Sequence, residues 1–146
     1  MIKKNKILIL SPHTDDGEIG CGGTIAKLIE DGNEVYYAAF SICEESVPKK
    51  FPKNILESEV KKATRVLGIP AENLFIYKFP VRHFPKYRQE LLDTIIKLRE
   101  SLKPNIVFCP SSYDTHQDHA TIHCETKRVF KKSTILGYEF MWINYS

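Results

Sequence analysis

Two short segments hold most of the side chains able to bind a metal or move a proton. The first, Ser11 to Gly23, reads SPHTDDGEIGCGG and gathers His13, Asp15 and Asp16. The second, Ser111 to His123, reads SSYDTHQDHATIH and carries His116, Asp118 and His119. Imidazole and carboxylate together make a suitable ligand set for a catalytic zinc ion. Adjacent carboxylates can point apart, one toward a metal and the other toward a water whose proton it takes. An aspartate beside a helix start also stabilises that helix with no chemistry at all, so the first segment alone reads equally as a capped turn. In the second segment His116 and His119 are three apart and share a face if the stretch is helical. Asp118 lies between them and is placed to bond an imidazole and fix its tautomer.

Competing patterns are weaker. His119 and His123 have the spacing of HExxH, but Ala120 follows His119, so the general base of that motif is missing. His123 reads as a packing or surface histidine, and His83, within VRHFPKYR, as structural or at most a substrate contact. Gly20-Cys21-Gly22 supplies GxG, but Ile25 stands where the third glycine of a dinucleotide fingerprint belongs. Two acids before the helix would also repel a pyrophosphate. These glycines read instead as close contacts between a helix start and a sheet.

The elements that must position these segments alternate. Lys6 to Ser11 (KILILS) is a continuous apolar run, the pattern of a strand buried on both faces. A helix is predicted from Glu18 to Asp31 with Gly32 closing it, then a strand from Glu34 to Ser41 and a loop from Glu44 to Lys53. A helix over Asn54 to Leu67 ends at Gly68, with a strand from Leu74 to Phe79 beyond it. Tyr87 to Leu102 carries Leu91, Ile95, Leu98 and Leu102 at helical spacing. A strand from Asn105 to Cys109, a helix from Thr121 to Lys132 and a strand from Thr134 to Phe140 complete the chain. This alternation implies an α/β, Rossmann-like, three-layer fold: a mainly parallel sheet of about five strands flanked by helices. In such sheets ligands bind beyond the carboxyl ends of the strands, and both polar segments directly follow strands.

At 146 residues the chain suits one domain with a real core. Hydrophobic residues at 42% and charged residues at 27% fit an ordinary soluble globular protein. A net charge of +3 with scattered lysines argues against nucleic-acid binding, and the Lys3–Lys4 and Lys49–Lys50 pairs are too short to be basic tails. No apolar run approaches the roughly 20 residues of a membrane span, and the apolar start is too short for a signal peptide, so a cytoplasmic location is expected. Cys21, Cys43, Cys109 and Cys124 show no CxxC spacing and read as free thiols.

Together the two motifs, His13-Thr14-Asp15-Asp16 and His116-Gln117-Asp118-His119, resemble those of the LmbE-like (PIG-L-type) family of zinc-dependent N-acetylglucosaminyl de-N-acetylases. The likeness extends to the GGT start of the first helix and the ATRVLGI end of the second, nearly the whole chain. It implies one Zn2+ per chain held by His13, Asp16 and His119. It implies Asp15 as the general base acting on metal-activated water. It implies His116 as the group that stabilises the oxyanion or protonates the leaving amine, with Asp118 as its carboxylate partner. A cationic His116 would suit the oxyanion. The substrate implied is a small N-acetylated amino sugar. Carboxylate and imidazole also suit other divalent metals.

The chain departs from the family at several points. Thr14 stands where the family usually has proline. Leu56 stands where many relatives have an arginine near the start of the second helix. Arg82 matches another family arginine and is the candidate substrate contact, and Lys53 is placed to replace the missing charge. Relatives also continue past the segment matching GYEFMWINYS. The resemblance therefore implies a single domain over residues 1–146 without the family's C-terminal portion, and exposed apolar surface that favours a homo-oligomer. Two alternatives stay open: a metal- or sugar-binding domain of this fold without turnover, and a Rossmann-type nucleotide-binding domain.

Overall fold

The run Lys6–Ser11 is the central strand, β1, and its alternating side chains build two cores. Ile7 and Ile9 pack with Ile25 and Val60 on one face, while Leu8 and Leu10 pack with Leu91, Ile95 and Ile122 on the other. Burial on both faces explains why the sequence here has no polar alternation. Each such side chain contributes roughly 1.5–3 kcal/mol relative to exposure.

The computed structural model describes residues 4–141; Lys3 of the first lysine pair and residues 142–146 of the GYEFMWINYS segment lie outside the described residues. After β1 come α1 (Asp16–Glu30), β2 (Glu34–Ala39), α2 (Ile55–Val66), β3 (Leu74–Ile76), α3 (Arg88–Leu102), β4 (Ile106–Pro110), α4 (Gln117–Val129) and β5 (Thr134–Tyr138). The five strands are all parallel, in the order β3-β2-β1-β4-β5. Helices α1 and α2 cover the face of Ile7 and Ile9, and α3 and α4 cover the other. This is the Rossmann-like α/β fold expected from the alternation. Successive strands run outward from β1 in one direction as β2 and β3, and in the other as β4 and β5. That reversal opens a crevice at the carboxyl ends of β1 and β4, where this class of sheet binds ligands. Among the described residues no helix is long and apolar enough to cross a membrane.

Several boundaries differ from the sequence pattern, for local reasons. Gly32 and Gly68 close α1 and α2 as expected, with φ of 81° and 88°; the differences lie elsewhere. Strand β3 ends at Ile76 rather than Phe79: Tyr77 N donates to Ala39 O and Phe79 N to Phe40 O, so one chain advances two residues against one and the ladder fails. Strand β2 ends near Pro12, which has no N–H to return. Helix α4 starts at Gln117, four residues before the predicted Thr121.

Of the glycines at the start of α1, Gly20 lies against the sheet and Gly23 does not. A Cβ on Gly20 would stand 2.5 Å from Tyr138 Cδ2, whereas one on Gly23 would meet nothing within 4 Å. The Tyr138 ring is buried and its hydroxyl donates to Leu10 O, so it has little room to yield. Gly20→Ala should therefore cost about 1–3 kcal/mol in denaturant unfolding. Gly23→Ala should be neutral or stabilise by up to about 1 kcal/mol. Equal effects at the two positions would contradict this packing.

Candidate functional site

The turn after β1 is fixed by a small polar network. Ser11 Oγ donates to His13 O at 2.5 Å and accepts from Gly17 N at 2.9 Å. The buried Tyr37 hydroxyl donates to Ser11 Oγ and Thr14 O. A Cβ on Gly17 would lie 2.7 Å from the Tyr37 ring, so glycine is what lets that ring support the turn. Within the turn His13 N donates to Asp16 Oδ2 at 2.8 Å. Asp16 is thereby drawn under the turn, and its neighbour Asp15 faces outward.

The second segment is organised by its own side chains. Asp114 Oδ1 accepts from His116 N at 2.9 Å. The His116 imidazole then caps α4, its Nδ1 accepting from Asp118 N at 3.1 Å. An imidazole in the place usually taken by Ser, Thr, Asp or Asn explains why the helix start was not legible in the sequence. Asp118 and His119 consequently sit in the first turn of α4, and both are buried.

Across the switch point three atoms converge. Asp16 Oδ2 is 3.1 Å from His13 Nδ1 and 3.1 Å from His119 Nε2. His119 Nε2 is 3.3 Å from His13 Nδ1. Tetrahedral zinc with ligands at about 2.1 Å places its donor atoms about 3.4 Å apart, so this donor set fits the ion. The remaining ring nitrogens support the same reading. His13 Nε2 donates to Asp118 Oδ2 at 2.9 Å, and His119 Nδ1 donates to Asp114 Oδ2 at 2.6 Å. Each carboxylate holds the proton of the far nitrogen, so that the neutral form of each ring, which a metal ion would select, turns its lone pair toward the convergence.

A nitrogen of His116 also lies near, so that His13, His116 and His119 offer donors within 4.8 Å of one another. The tautomer separates His116 from the other two. Its Nδ1 accepts a backbone N–H, so a neutral ring carries its proton on Nε2 and is a donor rather than a ligand. Its ring stacks on that of His119 with centroids 4.7 Å apart.

The electrostatics divide the groups in the same way. Burial opposes a charge on Asp16, yet His119 and His13 outweigh it and hold the carboxyl well below the usual range. Burial likewise opposes a charge on His13, but Asp118 and Asp16 raise its pKa to about 9. Asp15 shifts upward through burial and the adjacent charge of Asp16. His116 shifts downward through burial and its histidine neighbours. It is therefore held toward the neutral form, in place of the cation expected from the sequence.

The structure brings together all the residues singled out in the two motifs, but pairs one of them differently. The Asp118 carboxylate bonds His13 rather than His116, and also accepts from Arg82 N at 2.6 Å and Phe84 N at 3.1 Å. Arg82 has a left-handed backbone (φ 69°) and lines a cavity of about 330 Å³ with His13, Asp15, Leu56 and His116. Lys53 is absent from that lining; its Nζ donates to Glu44 O. His83 is exposed, and His123 donates from Nδ1 to Pro110 O, so neither joins the site. Asp114 was missed by the sequence reading. Its spacing of five from His119 matches no helical or motif rule, because it lies in the turn before the helix.

Known proteins resemble this chain over most of its length. A family model described as PIG-L, GlcNAc-PI de-N-acetylase, matches residues 8–130. The diacetylchitobiose deacetylase of Thermococcus kodakarensis is 30% identical over 123 residues, covering 78% of this chain and 45% of that protein. The N,N'-diacetylchitobiose deacetylase structure from Pyrococcus horikoshii superposes with a TM-score of 0.73 at 24% identity, over 94% of this chain and 61% of that one. A conserved protein from Thermus thermophilus gives 0.70 at 28% identity, over 91% and 60%. This chain thus spans about half the length of the Thermococcus relative.

Metal titration tests which donors hold the ion. His119→Ala and Asp16→Ala should each lose most bound zinc in a dialysed sample, while His116→Ala retains it. Asp114→Asn and Asp118→Asn should weaken binding about 10–100-fold. Loss of zinc from His116→Ala with retention in Asp16→Ala would make the site a three-histidine one instead.

Proposed function

The chain belongs to the PIG-L family of de-N-acetylases, and from that premise we propose that it hydrolyses the N-acetyl amide of a small amino sugar, using one zinc ion held by His13, Asp16 and His119. The observation that carries this reading is the convergence of His13 Nδ1, Asp16 Oδ2 and His119 Nε2, with His13 also lining a cavity whose walls present Asp15 and His116. Three protein donors with an open side are the mark of a catalytic rather than a structural zinc site. Zinc bound there supplies Lewis acidity, polarising the amide carbonyl and acidifying water.

The chain's own residues do the rest. Asp15 takes the proton from the attacking water, a task suited to a carboxylate whose pKa is shifted upward. His116, neutral and protonated on Nε2, donates a hydrogen bond to the carbonyl oxygen as negative charge develops on it. Asp15 then returns the proton to the amide nitrogen, the C–N bond breaks, and acetate and a free amine leave. Asp118 and Asp114 keep both ligand imidazoles in the required tautomer. Arg82, held in place by Asp118, contacts the sugar. The Thermococcus relative bears the name diacetylchitobiose deacetylase, so short N-acetylglucosamine oligosaccharides are the substrates to try first.

Acetate release from such sugars by zinc-loaded protein tests the reading. Asp15→Ala should keep its zinc and lose on the order of 10³-fold in rate. His116→Ala should keep its zinc and lose on the order of 100-fold. Stoichiometric zinc with no acetate release from any sugar would leave a binding domain in place of a hydrolase.

A further inference from the structure

Two successive peptide units lie between His13 and Asp15, and each has its carbonyl held by a buried hydroxyl. Ser11 Oγ donates to His13 O at 2.5 Å, and the Tyr37 hydroxyl shares its proton between Ser11 Oγ at 2.9 Å and Thr14 O at 3.0 Å. Ser11 and Tyr37 are both 0% exposed. Tyr37 stands on β2 opposite Ile9 of β1, and its ring packs in the core of Ile7, Ile9 and Ile25, so the hydroxyl reaches the turn from a rigid base. Burial pushes the phenol well above its usual range, so it stays a donor.

The side chains of the site are not all held alike. Asp16 accepts from His13 N, the His13 ring is bonded by Asp118, and the His119 ring by Asp114. The Asp15 residue is exposed, and its carboxylate makes no cap bond to α1. Its place is therefore set by the peptide unit before it, whose carbonyl oxygen is Thr14 O. A buried tyrosine hydroxyl finds a partner in any fold, and Tyr138 is the ordinary case, donating to Leu10 O within β1. The Tyr37 hydroxyl bonds instead the peptide that carries Asp15 outward. Resting on the de-N-acetylase reading above, we infer that Tyr37 is a positioning residue, whose hydroxyl fixes the Asp15 carboxylate where it meets the attacking water. Tyr37 itself is absent from the cavity lining, so it acts only through the turn. A misplacement of about 1 Å at a reacting group costs on the order of 100-fold in rate, which makes one such bond matter.

Acetate release from N,N'-diacetylchitobiose by zinc-loaded protein provides the test, with kcat taken per zinc-bound chain. Tyr37→Phe keeps the ring and should lower kcat about tenfold, with KM and zinc affinity little changed. Tyr138→Phe removes a buried hydroxyl from the same core and should lower the unfolding temperature without lowering kcat. In an Asp15→Ala background, Tyr37→Phe should change the residual rate by less than about twofold, because a residue that acts through Asp15 has nothing left to place. Ser11→Ala removes the hydroxyl that links Tyr37 to His13 O and should repeat both results, which keeps the question decidable if Tyr37→Phe folds poorly. An unchanged kcat in Tyr37→Phe, an equal fall in Tyr138→Phe, or a full fall in the Asp15→Ala background overturns the inference and leaves the hydrolase reading intact. No acetate from zinc-loaded wild type would remove the hydrolase reading and the inference with it.

Discussion

The buried carboxylate of Asp118 holds three parts of the chain in one arrangement. It accepts from His13 Nε2 in the turn after β1, and from Arg82 N and Phe84 N in the loop after β3, while its own backbone N–H is bonded by His116 at the start of α4. A fully buried carboxylate is tolerated only when its lone pairs are met by donors, and here those donors come from segments distant in sequence. The same bonds keep Asp118 charged, against the effect of burial. They also retain Arg82 in a left-handed backbone that a non-glycine residue adopts at a cost, so the cavity wall is tied to the turn after β1.

Asp114 does the complementary work on the other side. One oxygen fixes the His116 backbone and the other the His119 ring. With Asp118 it makes a pair of carboxylates beneath a pair of imidazoles, each setting which nitrogen is free. His116 differs because a backbone N–H, not a carboxylate, occupies its Nδ1. Three histidines of similar surroundings thus separate, through what bonds their far nitrogen, into two that turn a nitrogen toward Asp16 and one that presents an N–H. The division follows from helix capping as much as from site chemistry.

The fold supplies the meeting point. In the order β3-β2-β1-β4-β5, the central strand β1 and its neighbour β4 are more than ninety residues apart in sequence yet pair directly, Ile7 with Ile106 and Ile9 with Phe108. Their carboxyl ends deliver the two motifs to one crevice. Dense apolar packing on both sheet faces keeps that pairing rigid, which a site with sub-ångström tolerance requires.

The sequence by itself determined the periodicity of the elements and the family to which the two motifs point. KILILS has the pattern of a strand buried on both sides, Leu91, Ile95, Leu98 and Leu102 have the spacing of one helix face, and His13, Asp16, His116 and His119 pointed to a metal site by type and spacing. These signals are local: they depend on a residue and its near neighbours in the chain. What the tertiary structure decided was non-local. The pairing of Asp118 with His13 across 105 positions, the service of Asp114 to His119 from a turn, and the four-residue earlier start of α4 under an imidazole cap all depend on the folded arrangement of the segments. A hydrogen bond needs its partners within about 3 Å, and only the order of strands in the sheet sets which distant segments come that close.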